Sequence, residues 1–423
     1  MVGISEQAED LNRRLKETAP QILSLLSSFG KNAYFPSGGI LAQTAEARST
    51  VLNATIGQAF EDDGSPMVLD ALQRQINLPP KAFLYSSSFG QKDLRELWGR
   101  LILEKNPSIQ TQISLSVVSN ALTHGVFLTN RLFVENENVI LPDKFWGNYR
   151  LLFPNSVLDR YPLFRENKFN IEGLCEKLSG NGEKKIVLLN FPNNPTGYTP
   201  TEGEAEEIVK AINECAERDN QVVVICDDAY FGLVFEEGIH NESIFAKIAN
   251  LNENVLGVKI DGLSKEAYAW GLRVGFMTYG FKNMTREAAE ILENKTAGAI
   301  RGSISNVCTI SQLIALEALK SYEFEIQIKK NFSKLKERYD IVKETIKENP
   351  HYSECFKALP FNSGYFMCIE LRKNNADVIR RRLIETFSSG VIAIDNMLRI
   401  AYSSVNKKRI PLLFKNIYSA CRS

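Results

Sequence analysis

Lys265 is the residue best placed to act as a nucleophile in this chain of 423 residues. It lies in the segment Ser264 to Gly275, directly after the apolar run Val255 to Ile260. That run reads as a buried strand, and α/β sheets present their chemistry at the carboxyl ends of strands. Arg273 follows and opens a second short apolar run, Val274 to Thr278. An amine held beside a permanent cation loses its proton more readily, which suits it for attack on a carbonyl. Two upstream segments occupy equivalent places. Asn190 to Gly197, with two prolines and three asparagines, forms a rigid polar loop after the apolar run Ile186 to Leu189. Asp227, Asp228 and Tyr230 follow the run Val222 to Cys226, which brings a carboxylate and a phenol to the same sheet edge. Taken singly, these segments suit a turn, a helix cap and a solvated lysine. Their joint occurrence in the order Asn, Asp and Tyr, Lys, Arg is far more specific.

The elements that position these residues alternate. Ile113–Val118, Val139–Leu141, Ile186–Leu189, Val222–Cys226 and Val255–Ile260 read as strands buried on both faces. Between two of them, Thr201 to Ala216 has the apolar spacing of a helix, and Thr199-Pro200-Thr201-Glu202 reads as its capping box. The alternation implies βαβ units and a mostly parallel sheet. After Ser305 the pattern changes to one long helical stretch, Gln312 to Lys347. Phe366–Leu371, Val378–Phe387, Val391–Ile394 and Leu398–Tyr402 then read as a smaller α+β unit. The first sixty residues are expected to pack on that unit. The expected division is a large domain over 67–320 and a small one built from 1–66 and 321–423.

Composition narrows the function. Lysine plus arginine equals aspartate plus glutamate at 50 each, so no net field favours nucleic acid or anionic lipid. Seven cysteines are scattered without a Cys-x-x-Cys pair, which fits free thiols in a reducing compartment. His124, His240 and His351 lie too far apart in sequence to suggest a metal site. The first residues lack a signal-peptide pattern, and no apolar run has the length of a membrane span. A cytoplasmic protein with no metal, nucleic-acid or membrane partner is expected.

In this order the residues resemble the pyridoxal-phosphate enzymes of fold type I, and within them the class I, aspartate aminotransferase-like aminotransferases. The resemblance runs from about Asn53 to Tyr402. It implies a mostly parallel seven-stranded sheet with helices on both faces, plus a smaller α+β domain. The implied activity is ping-pong transfer of an amino group from an L-amino acid to a 2-oxo acid through pyridoxal 5'-phosphate. Lys265 would condense with the cofactor aldehyde and then shuttle the substrate proton. Asp227 would pair with the pyridine nitrogen, Tyr230 and Asn194 would bond the ring oxygen, and Arg273 would clamp the phosphate. Ser119, Asn120 and Ala121 match the phosphate loop in position, although the usual glycines are missing. Trp146 resembles the aromatic residue stacked on the ring, and Tyr85 the tyrosine that reaches the neighbouring subunit's phosphate. Gly262 stands where many relatives carry a serine that bonds the phosphate.

The resemblance also speaks to substrate. Arg399 matches the small-domain arginine that binds the α-carboxylate. Arg301, in the stretch Ala299 to Asn306, resembles the arginine that crosses a dimer interface to the distal carboxylate. Val307 and Cys308 replace the prolines usual after that asparagine. Gly57 lies in a stretch resembling the segment that closes over substrate. Aspartate or glutamate is therefore the expected donor, in a homodimer with shared sites. Aromatic amino acids are the alternative donors, a lyase on the same fold is the alternative reaction, and a non-catalytic cofactor-binding regulator is a third reading.

Overall fold

The computed structural model describes residues 5–34, 38–74 and 78–423. Seven strands form the main sheet: β1 (Val117–Ser119), β2 (Val139–Pro142), β3 (Leu158–Tyr161), β4 (Lys184–Asn190), β5 (Gln221–Asp227), β6 (Val255–Gly262) and β7 (Gly275–Gly280). Their spatial order is β1-β7-β6-β5-β4-β2-β3. All neighbours are parallel except β7, which runs antiparallel to β1 and β6. The central strands are almost wholly buried, as their unbroken apolar runs require of a sheet covered on both faces. Two large apolar clusters fill most of the described interior, beside a small third one at Leu359, Cys368 and Met397. Of the large pair, one holds Val126, Ile225, Ile260 and Met277; the other holds Ile208, Ile212, Val224 and Phe245.

Alternation along β5 and β6 decides which side chains reach which face. The pair Asp227 and Ile260 sits one residue beyond the pair Cys226 and Lys259 in register, so Asp227 and Lys259 project to opposite sides. The helix Ala121–Phe133 packs on β5, β6 and β7 and opens directly after β1. Register between β5 and β4 puts Asp227 beside Asn190, which aligns the two polar loops at one sheet edge.

A second sheet of four strands, β8 (Phe356–Ala358), β9 (Phe366–Leu371), β10 (Ile392–Ile394) and β11 (Met397–Ala401), is antiparallel in the order β8-β9-β11-β10. It carries Arg399. Gly197 docks the loop after β4 against this unit. Its φ is +72°, and a Cβ there would meet the Phe366 carbonyl oxygen at 1.9 Å, so only glycine fits.

Four local expectations are corrected. The strand expected over 113–118 is shortened to Val117–Ser119, with Ile113 in an isolated bridge to Gly280. The Ser114 hydroxyl accepts the Tyr279 N–H at 2.9 Å, so a side chain takes part of the ladder. The helix over 202–216 is capped by Thr201, whose partner in the box is Glu204, and Pro200 precedes the cap. The long helix expected over 312–347 is two helices, Thr309–Lys320 and Tyr322–Glu348. Ser321 breaks it because its hydroxyl caps the second helix at the Glu323 N–H. The N-terminal region divides as well. Leu52–Asn53 pairs with Ser389–Gly390 of the small unit, whereas Ser5 and Phe29 face Arg150 and Arg160 at the β3 edge.

Candidate active site

A cavity of about 180 Å³ opens at the carboxyl ends of β4, β5 and β6. Gly57, Ala121, Trp146, Asn194, Asp227, Tyr230, Lys265, Arg273 and Arg399 all line it. Residues separated by more than three hundred positions thus meet in one place. Ser119, Asn120, Tyr85 and Arg301 do not line it. The Ser119 hydroxyl is fully buried and donates to the Ala121 carbonyl at 3.0 Å. Asn120 is exposed, and its backbone N–H donates to His124 Nδ1 at 3.1 Å. Tyr85 is 93% exposed, and Arg301, the last residue of its helix, donates to the Ser305 hydroxyl at 2.7 Å in the loop that follows.

Asp227 ends β5 with its carboxylate buried. It accepts a hydrogen bond from the Tyr149 hydroxyl at 2.5 Å and another from the Ala229 N–H at 3.2 Å. Burial raises its pKa; Tyr149, Lys265 and the Ala229 N–H pull in the other direction. Lys265 Nζ stands 5.3 Å from the centre of the Tyr230 ring. Burial lowers the lysine's pKa, Asp227 opposes, and Arg273 adds to the lowering. The cation expected from sequence to activate the amine therefore contributes, but desolvation is the larger cause.

The far wall comes from the small unit. Arg399 is 2% exposed and donates to the Thr55 carbonyl at 2.7 Å and to Asn194 Oδ1 at 3.1 Å. Its guanidinium lies 4.3 Å over the Phe366 ring, and its Nε has no partner. Among the described residues no carboxylate pairs with it. A buried guanidinium stays charged and is costly without an anion. Asn194 is fixed in turn, since Asn190 Oδ1 accepts its backbone N–H at 2.8 Å while the Asn190 amide donates to the Asp227 carbonyl at 2.8 Å.

The wall beside Arg273 is built for an oxyanion. The helix Ala121–Phe133 has no side-chain cap at Asn120, so its first-turn N–H groups lack that partner, and Ala121 to Thr123 line the cavity. Ala121 and Arg273 both hold left-handed backbone, at φ +61° and +54°, a conformation that costs non-glycine residues about 1–2 kcal/mol each. Ser264 Oγ, buried in the same wall, has no hydrogen-bond partner. A serine could not stand at Gly262, because a Cβ there would meet Gly275 Cα and the Val274 oxygen at 2.6 Å, and its φ is +153°. Ser264, two residues on, presents a hydroxyl in that wall instead. An orphaned hydroxyl, uncapped N–H groups and a guanidinium at one end, with Asp227 at the other, fit a phosphorylated pyridine aldehyde.

Three contributors were not singled out in the sequence. Tyr149 lies one helical turn beyond Trp146, and its ring meets Trp146 edge-on at 5.5 Å. That spacing was the available signal. Ser264 and Asn190 had only their adjacency to Lys265 and Asn194. On the reverse face of the sheet, Lys259 is buried between Asp228 and Asp261, with Asp261 at 3.2 Å. Burial pushes the Asp228 carboxyl up to about 6 even with Lys259 beside it.

The sheet order, the second unit and the shared cavity define a fold type I α/β protein. The chain belongs to the aminotransferase class I and II family, whose model matches residues 17–417. It is 27% identical over 273 residues to a probable aspartate/prephenate aminotransferase of Aquifex aeolicus. That match covers 63% of this chain and 64% of the relative, just under two thirds of the relative's length. The structure superposes on an aminotransferase from Anaerococcus prevotii with a TM-score of 0.82 at 22% identity, covering 94% of this chain and 100% of that one. An aromatic-amino-acid aminotransferase from Burkholderia pseudomallei covalently bound to pyridoxal phosphate matches with a TM-score of 0.72 at 21% identity, covering 94% and 100%. At these identities the structural likenesses speak to the fold. No helix among the described residues is long and apolar enough to cross a membrane, and no cluster of His, Cys, Asp and Glu among them could hold a metal ion.

Proposed function

We propose that this protein is a pyridoxal-phosphate-dependent aminotransferase acting on aspartate or glutamate with a 2-oxo acid partner. The observation that carries this reading is Arg399: a buried guanidinium with no anion of its own, in the cavity that also holds Lys265 and Asp227. Such a group pairs bidentately with a substrate α-carboxylate, and that pairing sets which bond at Cα faces the cofactor plane. When bound, the cofactor supplies an aldehyde to take up the amino group and a ring to accept the electron pair left at Cα. Lys265, its ammonium disfavoured by burial, takes and returns the proton at Cα. Asp227, fixed by Tyr149 and the Ala229 N–H, presents its carboxylate to the ring nitrogen. Tyr230 and Asn194 hold the ring oxygen, Trp146 covers the ring face, and Gly57 closes the substrate side. Arg273, Ser264 and the helix end at Ala121 hold the phosphate, with Ser119 and Asn120 shaping that turn.

A homodimer belongs to the same proposal. Phe83, Leu84 and Tyr85 are 74%, 68% and 93% exposed in succession, an apolar strip that a second copy would cover. Tyr85 and Arg301 would then complete the partner's site, and Arg301 would meet the distal carboxylate. The proposed division lies at 66/67 and 320/321, the second boundary supported by the helix break at Ser321. Seven free cysteines support a reducing, cytoplasmic setting. Aromatic donors remain the second reading, supported by the aromatic-amino-acid relative from Burkholderia pseudomallei.

The test is a panel of amino donors with 2-oxoglutarate, with product keto acids identified. Lys265→Ala is expected to abolish turnover and the visible absorption of the bound cofactor. Arg301→Leu is expected to lower kcat/KM for aspartate at least about tenfold more than for phenylalanine, as loss of a charge pair across an interface requires. Equal losses for both donors would remove Arg301 from substrate selection.

A further inference from the structure

A second cavity, of about 460 Å³, lies outside the site just described. It is formed where residues 5–34 meet the turn and edge strand over 150–160. Its size falls within the roughly 300–1,000 Å³ typical of small-molecule pockets. Two polar atoms on its walls are buried without a hydrogen-bond partner: Ser156 Oγ, on a residue 5% exposed, and Asn32 Oδ1. Two guanidinium groups, Arg150 and Arg160, also line it, and no ion pair to either is found among the described residues. Two neighbouring carboxylates are already engaged: Asp159 pairs with Lys177 at 2.5 Å, and Asp143 with Lys144 at 2.7 Å. Among the described residues no carboxylate lines the cavity, whereas Phe153 and Leu158 give it an apolar floor. Orphaned buried polar atoms are rare in folded proteins and call for a partner.

We propose that this cavity binds a small organic oxyanion, a carboxylate or phosphate monoester carried on an apolar body. The arginines meet the oxyanion with paired planar donors, Ser156 adds a hydroxyl, and the body rests on Phe153 and Leu158. The cavity flanks β3, the sheet edge opposite β1. Arg301 ends the helix that packs on β1, so this pocket is separate from the subunit boundary proposed above. It shares no lining residue with the cofactor cavity; a third cavity, lined by Tyr34, Arg150 and Leu151 on one side and Trp146 and Asn194 on the other, lies between them. Arg150 nevertheless sits on the short helix Tyr149–Leu152 beside the tyrosine that holds Asp227, so an occupant would touch the element supporting the catalytic carboxylate.

Fluorine NMR on the holoenzyme tests this, with saturating succinate in the active site. The probes are para-fluorophenylacetate and para-fluorophenyl phosphate, with para-fluorobenzyl alcohol as the neutral control. A saturable bound signal is expected for at least one anionic probe, and the tighter of the two identifies the head group. Arg160→Gln and Ser156→Ala are each expected to weaken it, by about tenfold for the arginine, a charged hydrogen-bond partner. Both variants are expected to keep wild-type transamination, which shows that they fold. No succinate-resistant signal, a signal unmoved by both variants, or equal binding of the neutral control would overturn the proposal. Equal competition by inorganic phosphate would overturn the requirement for an apolar body.

Discussion

Removing one hydroxyl tests the architecture around Asp227 most directly. Tyr149→Phe keeps the ring that packs against Trp146 and deletes only the 2.5 Å bond to the buried carboxylate. A hydrogen bond to an ionised group contributes about 1.5–3 kcal/mol, and here solvent cannot replace it, since Tyr149 is fully buried and Asp227 is 3% exposed. At about 1.4 kcal/mol per decade this is roughly 10- to 150-fold in kcat/KM, provided that the ionised carboxylate is what the reaction uses. The pH dependence gives a second readout. Burial already raises the Asp227 pKa, and the Tyr149 hydroxyl opposes that rise. Deleting the hydroxyl raises it further, so the ionised form is lost at a higher pH as the solution is acidified. The acidic limb of kcat/KM should therefore move upward. The assay is steady-state transamination of aspartate across the pH range, with a thermal melt to show that the variant folds. Wild-type kcat/KM with an unmoved acidic limb would refute the assignment of Tyr149 as the support of Asp227.

Two further variants carry expected outcomes. Arg399→Leu should raise KM for every amino donor alike, because it removes the α-carboxylate partner; unchanged KM for alanine and aspartate together would count against that role. Its ligand-free melting temperature should not fall in proportion, since the wild-type guanidinium is buried without an anion. Lys259→Met leaves Asp228 and Asp261 facing each other without a cation and should destabilise the fold by about 3–5 kcal/mol in chemical denaturation. A loss below about 1 kcal/mol would show that the triad is not a structural brace.

That Asn194, Asp227 and Lys265 meet in one cavity was legible because each closes an apolar run. Asp227 ends β5, Asn194 and Lys265 follow β4 and β6, and a parallel sheet carries such residues to one edge whatever the loops between them do. Arg399 lies outside that logic, on the second sheet. Pattern alone gave its strand, and the family resemblance gave its role. What sequence could not show was lateral contact. Tyr149 reaches Asp227 across 78 residues and Lys259 reaches Asp228 across 31, and neither pairing leaves a periodic trace. Local chemistry misled in a different way. Ser114 and Ser321 sit inside patterns that read as continuous strand and helix, yet each hydroxyl bonds a backbone N–H and ends the element. The capping box of the helix over 202–216 was read two residues early, because threonine stands at both 199 and 201 and each has a glutamate three positions on, Glu202 and Glu204, so spacing does not tell them apart.

The distribution of unsatisfied groups also bears on function. Elsewhere in the interior, buried charges are closed: Arg95 with Glu293 at 2.8 Å, and Lys259 with Asp261 at 3.2 Å. Around the cofactor cavity the opposite holds. Arg399 Nε and Ser264 Oγ lack partners, Asp227 is pushed toward its neutral form by burial, and Ala121 and Arg273 hold strained backbone. A core of mere packing would not hold these costs together in 180 Å³ of space. In the proposed function one kind of occupant would satisfy the unpaired groups, with a phosphate at the Ser264 and Arg273 end, a basic ring nitrogen at Asp227 and a carboxylate at Arg399. Ligand-free protein should for that reason gain stability from Asp227→Asn, which keeps the shape and removes the buried charge, while the loaded enzyme should lose activity from the same change. A melting temperature that falls with Asp227→Asn in the absence of cofactor would mean that the carboxylate serves the fold rather than the ligand.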